Sequence, residues 1–380
     1  MSRPCVLIAG GGTGGHVFPA VAVATAIEAI ADVEVVFCGT ARGVEARVVP
    51  ARGWRLELLE VDPIKGGGPV RALRGALVAA SAMGRAVGLV RRLEPQAVLS
   101  VGGYAAGPVS LAAAVLGVPL AVLEPNSVVG LANRILAPFA RRAYVAWEET
   151  AASFKASARR VVGVPLRTGF GPRPYIPGSR RRVLVMGGSQ GAAALNERMP
   201  EAVARLGQVQ GLEVVHQAGK DRDEPVRAAY ERAGVGCARV VPFIDDVVGA
   251  LSEADLVVAR AGASSLAEIT AVGRAAILVP FPHAADDHQA KNAQALERVG
   301  GAVCLLQETA DAARIAAEMG RLLADDHARV AMSDASRAHG RPTAAAEVAT
   351  DLLELAGIPL RPRGATNGAG RPHPAAQEAP

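Results

Sequence analysis

The run Gly10-Gly11-Gly12-Thr13-Gly14-Gly15-His16 combines glycines, a hydroxyl and an imidazole within seven positions. Glycines at this density let backbone N–H groups converge on an anion, above all where a helix begins directly afterwards. An imidazole, titrating near ~6.5, can take a proton from a hydroxyl held beside that anion. The apolar run Cys5 to Ala9 before the glycines has strand length, and alanine, valine and isoleucine recur at helical spacing after them as far as Ala31. The spacing of Gly10, Gly12 and Gly15 also fits the Gly-x-Gly-x-x-Gly turn of dinucleotide sites. Such sites need an acid at the end of the second strand to hold a ribose. The run Val35-Val36-Phe37-Cys38-Gly39-Thr40 has none, so the loop points to a phosphate other than that of a nicotinamide dinucleotide.

The same theme recurs. Gly102-Gly103-Tyr104-Ala105-Ala106-Gly107-Pro108 follows a strand-like run and precedes a helical one. Arg182 to Met186 runs into Gly187-Gly188-Ser189-Gln190-Gly191-Ala192, and Leu256 to Ala259 into Arg260-Ala261-Gly262-Ala263-Ser264-Ser265-Leu266-Ala267-Glu268. Glu268, about one turn into its helix, reads either as a first-turn acid on the helix dipole or as a ligand for two ribose hydroxyls. His283-Ala284-Ala285-Asp286-Asp287-His288-Gln289 matches no zinc spacing and reads as a polar loop opening a helix. No metal site is expected.

Strand-like and helical runs alternate along the 380 residues, which predicts parallel α/β architecture. The second strand–glycine loop–helix unit restarts the series, so the expected fold is two Rossmann-like domains facing across a cleft. Expected boundaries are 1–164, a Gly/Pro-rich linker at 165–178, a second domain at 179–342, a helix at 343–357 packing back on the body, and a disordered tail at 358–380. Aromatic residues are only 3%, so the core must be aliphatic. A net charge of +5 suits a polyanionic ligand or an anionic membrane surface, but no dense basic run interleaved with aromatics favours nucleic acid. Cys5, Cys38, Cys237 and Cys304 are spread too widely for a metal site and read as buried, reduced thiols. The charge-free stretch between Glu94 and Glu124 exceeds the ~20 residues of a membrane span, yet glycines and prolines divide it into strand, loop, helix and strand lengths.

In order along the chain, Gly-Gly-Thr-Gly-Gly-His, Gly-Gly-Tyr-x-x-Gly-Pro, Glu-x-Asn, Gly-Gly-Ser-x-Gly-Ala, Arg-x-Gly-Ala-x-Ser and Asp-His-Gln together resemble the MurG family of peptidoglycan N-acetylglucosaminyltransferases. The resemblance runs from about Cys5 to Ala356 and implies the B-type glycosyltransferase fold. It implies inverting transfer of N-acetylglucosamine from UDP-N-acetylglucosamine to the 4-hydroxyl of undecaprenyl-diphosphate-linked MurNAc-pentapeptide, without a cofactor, at the cytoplasmic face of the inner membrane. By motif, it places contacts to the UDP-sugar donor on Thr13, Gly14, Gly15, Asn126, Arg167, Ser189, Ile244, Ala263, Ser264, Ser265, Leu266, Ala267, Glu268 and Gln289. Within that set Ser189 would hold phosphate, Glu268 the ribose, Gln289 the sugar, and the backbone at Ile244 the uracil. Inversion needs one in-line displacement, hence a base for the acceptor hydroxyl and stabilisation of departing UDP. His16 is the base candidate, and Glu124 stands beside it in the catalytic assignment as a positioning partner, with Asn126. Two motifs depart from the family: Glu124-Pro125-Asn126 stands where Glu-Gln-Asn is common, and Gly163-Val164-Pro165 precedes Arg167 where Gly-Asn-Pro is usual.

A lipid acceptor requires contact with a membrane. The stretch Pro63-Ile64-Lys65-Gly66-Gly67-Gly68, followed by Val70 to Leu93, sets Arg71, Arg74, Arg85, Arg91 and Arg92 among Leu73, Leu77, Val78, Met83, Val87 and Leu89. By itself that pattern reads better as an ordinary crossover helix with solvated arginines, and the lipid acceptor tips the expectation toward contact with anionic headgroups. Alternative functions are a related UDP-sugar transferase acting on another lipid such as diacylglycerol, a UDP-N-acetylglucosamine epimerase, and a non-catalytic nucleotide-binding module.

Overall fold

The computed structural model describes residues 3–60, 69–103, 105–188, 191–207 and 209–362, with backbone alone at 69–80 and at Ala285. Pro63 to Gly68, Tyr104, Ser189, Gln190 and the tail from 363 lie outside the described residues, as do the side chains of Arg71, Leu73, Arg74, Leu77 and Val78. The chain divides into two compact units: one up to Thr168 together with the segment from Thr343, the other Gly169–Pro342.

The first unit holds β1 (Cys5–Gly10), β2 (Glu34–Gly39), β3 (Arg55–Leu58), β4 (Ala97–Gly102), β5 (Leu120–Glu124), β6 (Arg142–Val145) and β7 (Arg159–Val161). The second holds β8 (Arg181–Met186), β9 (Leu212–Gln217), β10 (Ala238–Val241), β11 (Leu256–Ala259), β12 (Ala276–Leu278) and β13 (Val303–Cys304). All pairings are parallel, in the orders β3-β2-β1-β4-β5-β6-β7 and β10-β9-β8-β11-β12-β13. Strands buried on both faces need no alternation, which is why β1, β4 and β5 are apolar runs broken only by Ser100 and by Glu124 at the end of β5. In each unit the strand order reverses once, between β1 and β4 and between β8 and β11. Ligands of open parallel sheets sit beyond the carboxyl ends of the strands at that reversal. All four glycine loops singled out above leave those four strands.

The charge-free stretch forms β4, the helix Ala106–Val115 and β5, and among the described residues no helix is long and apolar enough to cross a membrane. The edge strand β7 was not expected, because three residues with two arginines carry no strand pattern. The helix Ala344–Leu355 packs on Gly14–Ile30, with Val348, Ala349, Leu352 and Leu353 in the first unit's core. Asp351 on that helix accepts from Arg142 Nε at 2.9 Å and Tyr144 Oη at 2.7 Å, tying it to β6. Much of the 165–178 stretch, read above as a linker, is bound into the second unit. Arg173 N donates to Val272 O, Tyr175 Oη donates to Asp255 at 2.7 Å, and Arg274 lies over the Tyr175 ring.

One expectation is corrected. Cys237 is exposed in the turn before β10, not buried, although Cys5 and Cys38 are buried and their thiols are pushed up to about 11 and about 12 by desolvation. The described end of the basic helix Pro69–Leu93 is a crossover helix. Ala86, Leu89 and Val90 are buried in the sheet-facing core with Met83 and Val87 packed against it, while Arg92 pairs with Glu57 at 2.7 Å.

Candidate active site

The first glycine loop is shaped by close approach. Gly10, Gly11 and Gly12 have φ of +134°, +152° and +94°, a region closed to most side chains. A Cβ on Gly10 would stand 2.2 Å from Gly102 O, and one on Gly103 would stand 2.3 Å from Gly11 O. The two loops therefore interlock, with Gly11 N donating to Gly102 O at 3.1 Å. A one-residue irregularity in the β1–β4 register brings Gly10 opposite Gly102. The helix Gly14–Ile30 starts at once after Thr13, with no capping side chain and no acid in its first turn. Its N-terminal N–H groups and dipole thus remain directed at whatever anion lies before them.

His16 sits in that first turn, half-buried, with Nδ1 3.3 Å from Thr13 Oγ1. Its Nε2 edge faces Gly102, where a Cβ would come within 3.1 Å. The imidazole therefore bridges the two loops at the strand-order reversal. Thr13, Gly14, Gly15 and His16 form one cluster.

Glu124, at the end of β5, is buried. Its Oε1 accepts from Asn126 N at 3.1 Å and Asn126 Nδ2 at 3.2 Å, and its Oε2 from Gly130 N at 2.9 Å and Asn133 Nδ2 at 3.1 Å. Burial pushes this carboxyl up, and the donors from Gly130, Asn126 and Asn133 oppose that shift. Asn133, buried and missed by the sequence reading, also takes a bond from Ser100 Oγ and donates to Leu123 O. Arg167 is exposed, next to the Thr168 boundary.

In the second unit the loop after β8 is again held by glycine. Gly188 and Gly191 have φ of +77° and +71°, and a Cβ on Gly191 would stand 2.1 Å from Ala218 O. Beneath it runs a buried polar chain that the sequence reading also missed. Asn196 Nδ2 donates to Ala218 O at 2.9 Å, which leaves its Oδ1 to accept from His216 Nε2 at 3.1 Å. His216 Nδ1 lies 3.0 Å from Tyr230 Oη, which donates to it in the neutral imidazole that burial favours. Burial pushes His216 down to about 4. The unfolded chain binds a proton at this residue near ~6.5, so below that pH it holds more protons than the folded one. The stabilisation is complete above ~6.5 and disappears as pH falls toward about 4, amounting to about 3 kcal/mol. Urea midpoints measured from neutrality down to this acid range should fall for the natural chain and fall less steeply for His216→Gln.

The helix Ala263–Val272 begins at Gly262 with no capping side chain, and Ser264 Oγ is buried without a hydrogen-bond partner among the described residues. An orphaned buried hydroxyl costs about 1–3 kcal/mol unless a ligand or water meets it. Ala263 and Leu266 are buried, while Ser265, Ala267 and Glu268 are half-buried on the same helix. Asn292, buried and also missed from sequence, donates to Ala261 O at 3.3 Å and ties the helix His288–Arg298 to this loop. Gln289, near that helix's start, accepts from Phe281 N at 3.0 Å. Asp286 and Asp287 just before it are both left-handed, at φ +52° and +56°, conformations that persist only where surrounding structure dictates them. Ile244 is buried after β10, next to exposed Phe243.

Two parallel Rossmann-type units, each with paired loops at its strand-order reversal, have the architecture of the B-type glycosyltransferase fold. The family 28 glycosyltransferase N-terminal domain profile matches residues 6–145, and the family 28 C-terminal domain profile matches residues 182–348. A transferase of Sorangium cellulosum, named UDP-N-acetylglucosamine--N-acetylmuramyl-(pentapeptide) pyrophosphoryl-undecaprenol N-acetylglucosamine transferase, is 56% identical over 93% of this chain and 89% of its own length. The same-named protein of Acidithiobacillus ferrooxidans is 44% identical over 93% of this chain and 98% of its own. The crystal structure of Acinetobacter baumannii MurG superposes with a TM-score of 0.79 at 32% identity, covering 92% of this chain and 99% of that one. The chain belongs to glycosyltransferase family 28 and, within it, to the MurG family.

Proposed function

We propose that the chain transfers N-acetylglucosamine from UDP-N-acetylglucosamine to the 4-hydroxyl of undecaprenyl-diphosphate-linked MurNAc-pentapeptide, inverting the anomeric carbon, in peptidoglycan synthesis. The observation that carries the donor side is the start of the Ala263–Val272 helix: uncapped, with the Ser264 hydroxyl buried and unsatisfied. That arrangement suits a phosphate of UDP, with Glu268 further along the helix for the ribose and Gln289 for the sugar. Ser189 completes the donor set by motif. On the acceptor side, the uncapped helix after Thr13 suits a diphosphate and His16 a hydroxyl proton.

In this reading His16 removes the proton as the acceptor oxygen attacks the anomeric carbon, and the glycosyl–phosphate bond breaks in line. The negative charge growing on UDP meets N–H dipoles already oriented for it, which requires no reorganisation at the moment of reaction. Glu124 acts by holding Asn126 and the loop to Gly130 in place. The decisive assay follows labelled N-acetylglucosamine into a short-chain lipid-linked MurNAc-pentapeptide analogue. Transfer to diacylglycerol with none to that acceptor would overturn the proposal. Conversion of the donor with no acceptor present would mark an epimerase instead.

The membrane contact falls on the first unit. Leu131, Ile135 and Phe139 recur every fourth residue and are 67%, 57% and 51% exposed, with exposed Arg134 and Arg141 alongside. Apolar side chains flanked by arginines suit the headgroup region of an anionic bilayer on the cytoplasmic side. Ile135→Glu with Phe139→Glu should reduce sedimentation with phosphatidylglycerol vesicles about tenfold, while transfer to a water-soluble acceptor stays unchanged. Equal sedimentation of the variant would remove this patch from the interface.

A further inference from the structure

The first unit contains a buried acid that no substrate contact explains. Glu45, only 1% exposed, lies on the helix Glu45–Ala51 beyond β2. Its Oε2 accepts from Gly12 N at 2.7 Å, and its Oε1 from Thr40 N at 2.8 Å and Thr40 Oγ1 at 3.0 Å. Val44 N donates back to Gly12 O at 3.3 Å, so Gly12 is gripped on both its polar groups by adjacent residues. Three glycines from three places surround the carboxylate. A Cβ on Gly11 would stand 2.3 Å from Glu45 Cδ, one on Gly39 2.4 Å from Cγ, and one on Gly43 2.1 Å from Oε2. Gly39 and Gly43 have no left-handed backbone, so only the carboxylate's proximity excludes a side chain there.

We infer that Glu45 is a positioning residue for the transfer reaction, an internal anion caged under the first glycine loop that fixes where Thr13 and His16 point. The inference rests on the acceptor role proposed for that loop. The carboxylate fixes the Gly11–Gly12 peptide through the Gly12 N–H, and Val44 N, next to Glu45 in the chain, fixes the following peptide, the one that leads into Thr13, through Gly12 O. The helix that follows, with His16 one turn in, inherits that orientation. A glutamine cannot replace it, because its NH2 must face either the Gly12 N–H or the two Thr40 donors.

Glu45→Gln in the full-length protein should lower kcat/KM for the lipid-linked acceptor about 10- to 100-fold, with the KM for UDP-N-acetylglucosamine within about twofold. It should also move the His16 signal in spectra of protein carrying labelled histidine, a readout independent of any substrate. A thermal-melting cycle tests the cage directly: Gly43→Ala should lower the melting temperature in the natural chain, and do so less in a Glu45→Ala background. Acceptor and donor KM rising together, an unmoved His16 signal, or additive effects of Gly43→Ala and Glu45→Ala would each overturn the inference. A natural chain inactive on the lipid-linked acceptor would overturn the substrate reading instead, and the spectra and the melting cycle would still decide the role of Glu45.

Discussion

Replacing His16 with alanine should lower turnover of the transfer reaction by about 10²- to 10⁴-fold, the range that positioned proton transfer contributes. Binding of UDP-N-acetylglucosamine should stay within about twofold, because the groups proposed for its uracil, phosphate, ribose and sugar lie on the second unit. The imidazole is held for the task by its two neighbours. Thr13 Oγ1 lies 3.3 Å from Nδ1, and the Nε2 edge faces the backbone of Gly102. For Nε2 to accept a proton, Nδ1 must carry its own, and the Thr13 hydroxyl is the acceptor that favours this tautomer. Thr13→Val should therefore show the same defect on a smaller scale, about tenfold, and again in kcat rather than in donor KM. Single-turnover kinetics with saturating acceptor separate the chemical step from release. Turnover near the natural level in His16→Ala would remove the imidazole from the mechanism.

What the sequence made legible follows from local backbone chemistry. Gly10, Gly12, Gly102, Gly188 and Gly191 could be read as loop residues because each adopts a left-handed backbone that its neighbours in sequence already imply. Strands buried on both faces announced themselves as apolar runs, and two such series predicted two parallel sheets. The supports beneath the loops were illegible for the opposite reason. Glu45 lies 33 residues from the Gly12 N–H it accepts, and Asn196 lies 22 residues from Ala218 O. A polar residue whose partner is that distant looks like any surface residue until the fold closes. The absence of an acid at the end of β2 correctly steered the reading away from a dinucleotide. The nearest acid, six residues on, is turned inward to hold the loop. Gly39 and Gly43 are glycines on its account, and motif spacing assigned neither of them that role.

Glu124 is the residue whose assigned role the geometry constrains most sharply. All four donors on its carboxylate come from the loop it anchors and from Asn133, two to each oxygen. A base needs an oxygen turned to the substrate, and this carboxylate is committed to its own backbone. Glu124→Gln should therefore act first on stability. Whichever oxygen becomes NH2, two N–H groups face it, and orphaned buried donors cost about 3 kcal/mol in all. For a unit of this size that corresponds to a fall of about 6–12 °C in melting temperature. The kinetic consequence should be indirect: as Asn126 and the loop to Gly130 lose their anchor, KM should rise for the substrate they contact. Asn133→Leu, which breaks the same chain one link earlier by removing the bonds to Glu124, Leu123 and Ser100, should reproduce the melting defect. A Glu124→Gln protein that melts normally but has lost turnover would return Glu124 to the reacting centre. One that melts early and recovers turnover on cooling, with Asn133→Leu behaving alike, fixes it as the support on which Asn126 is mounted.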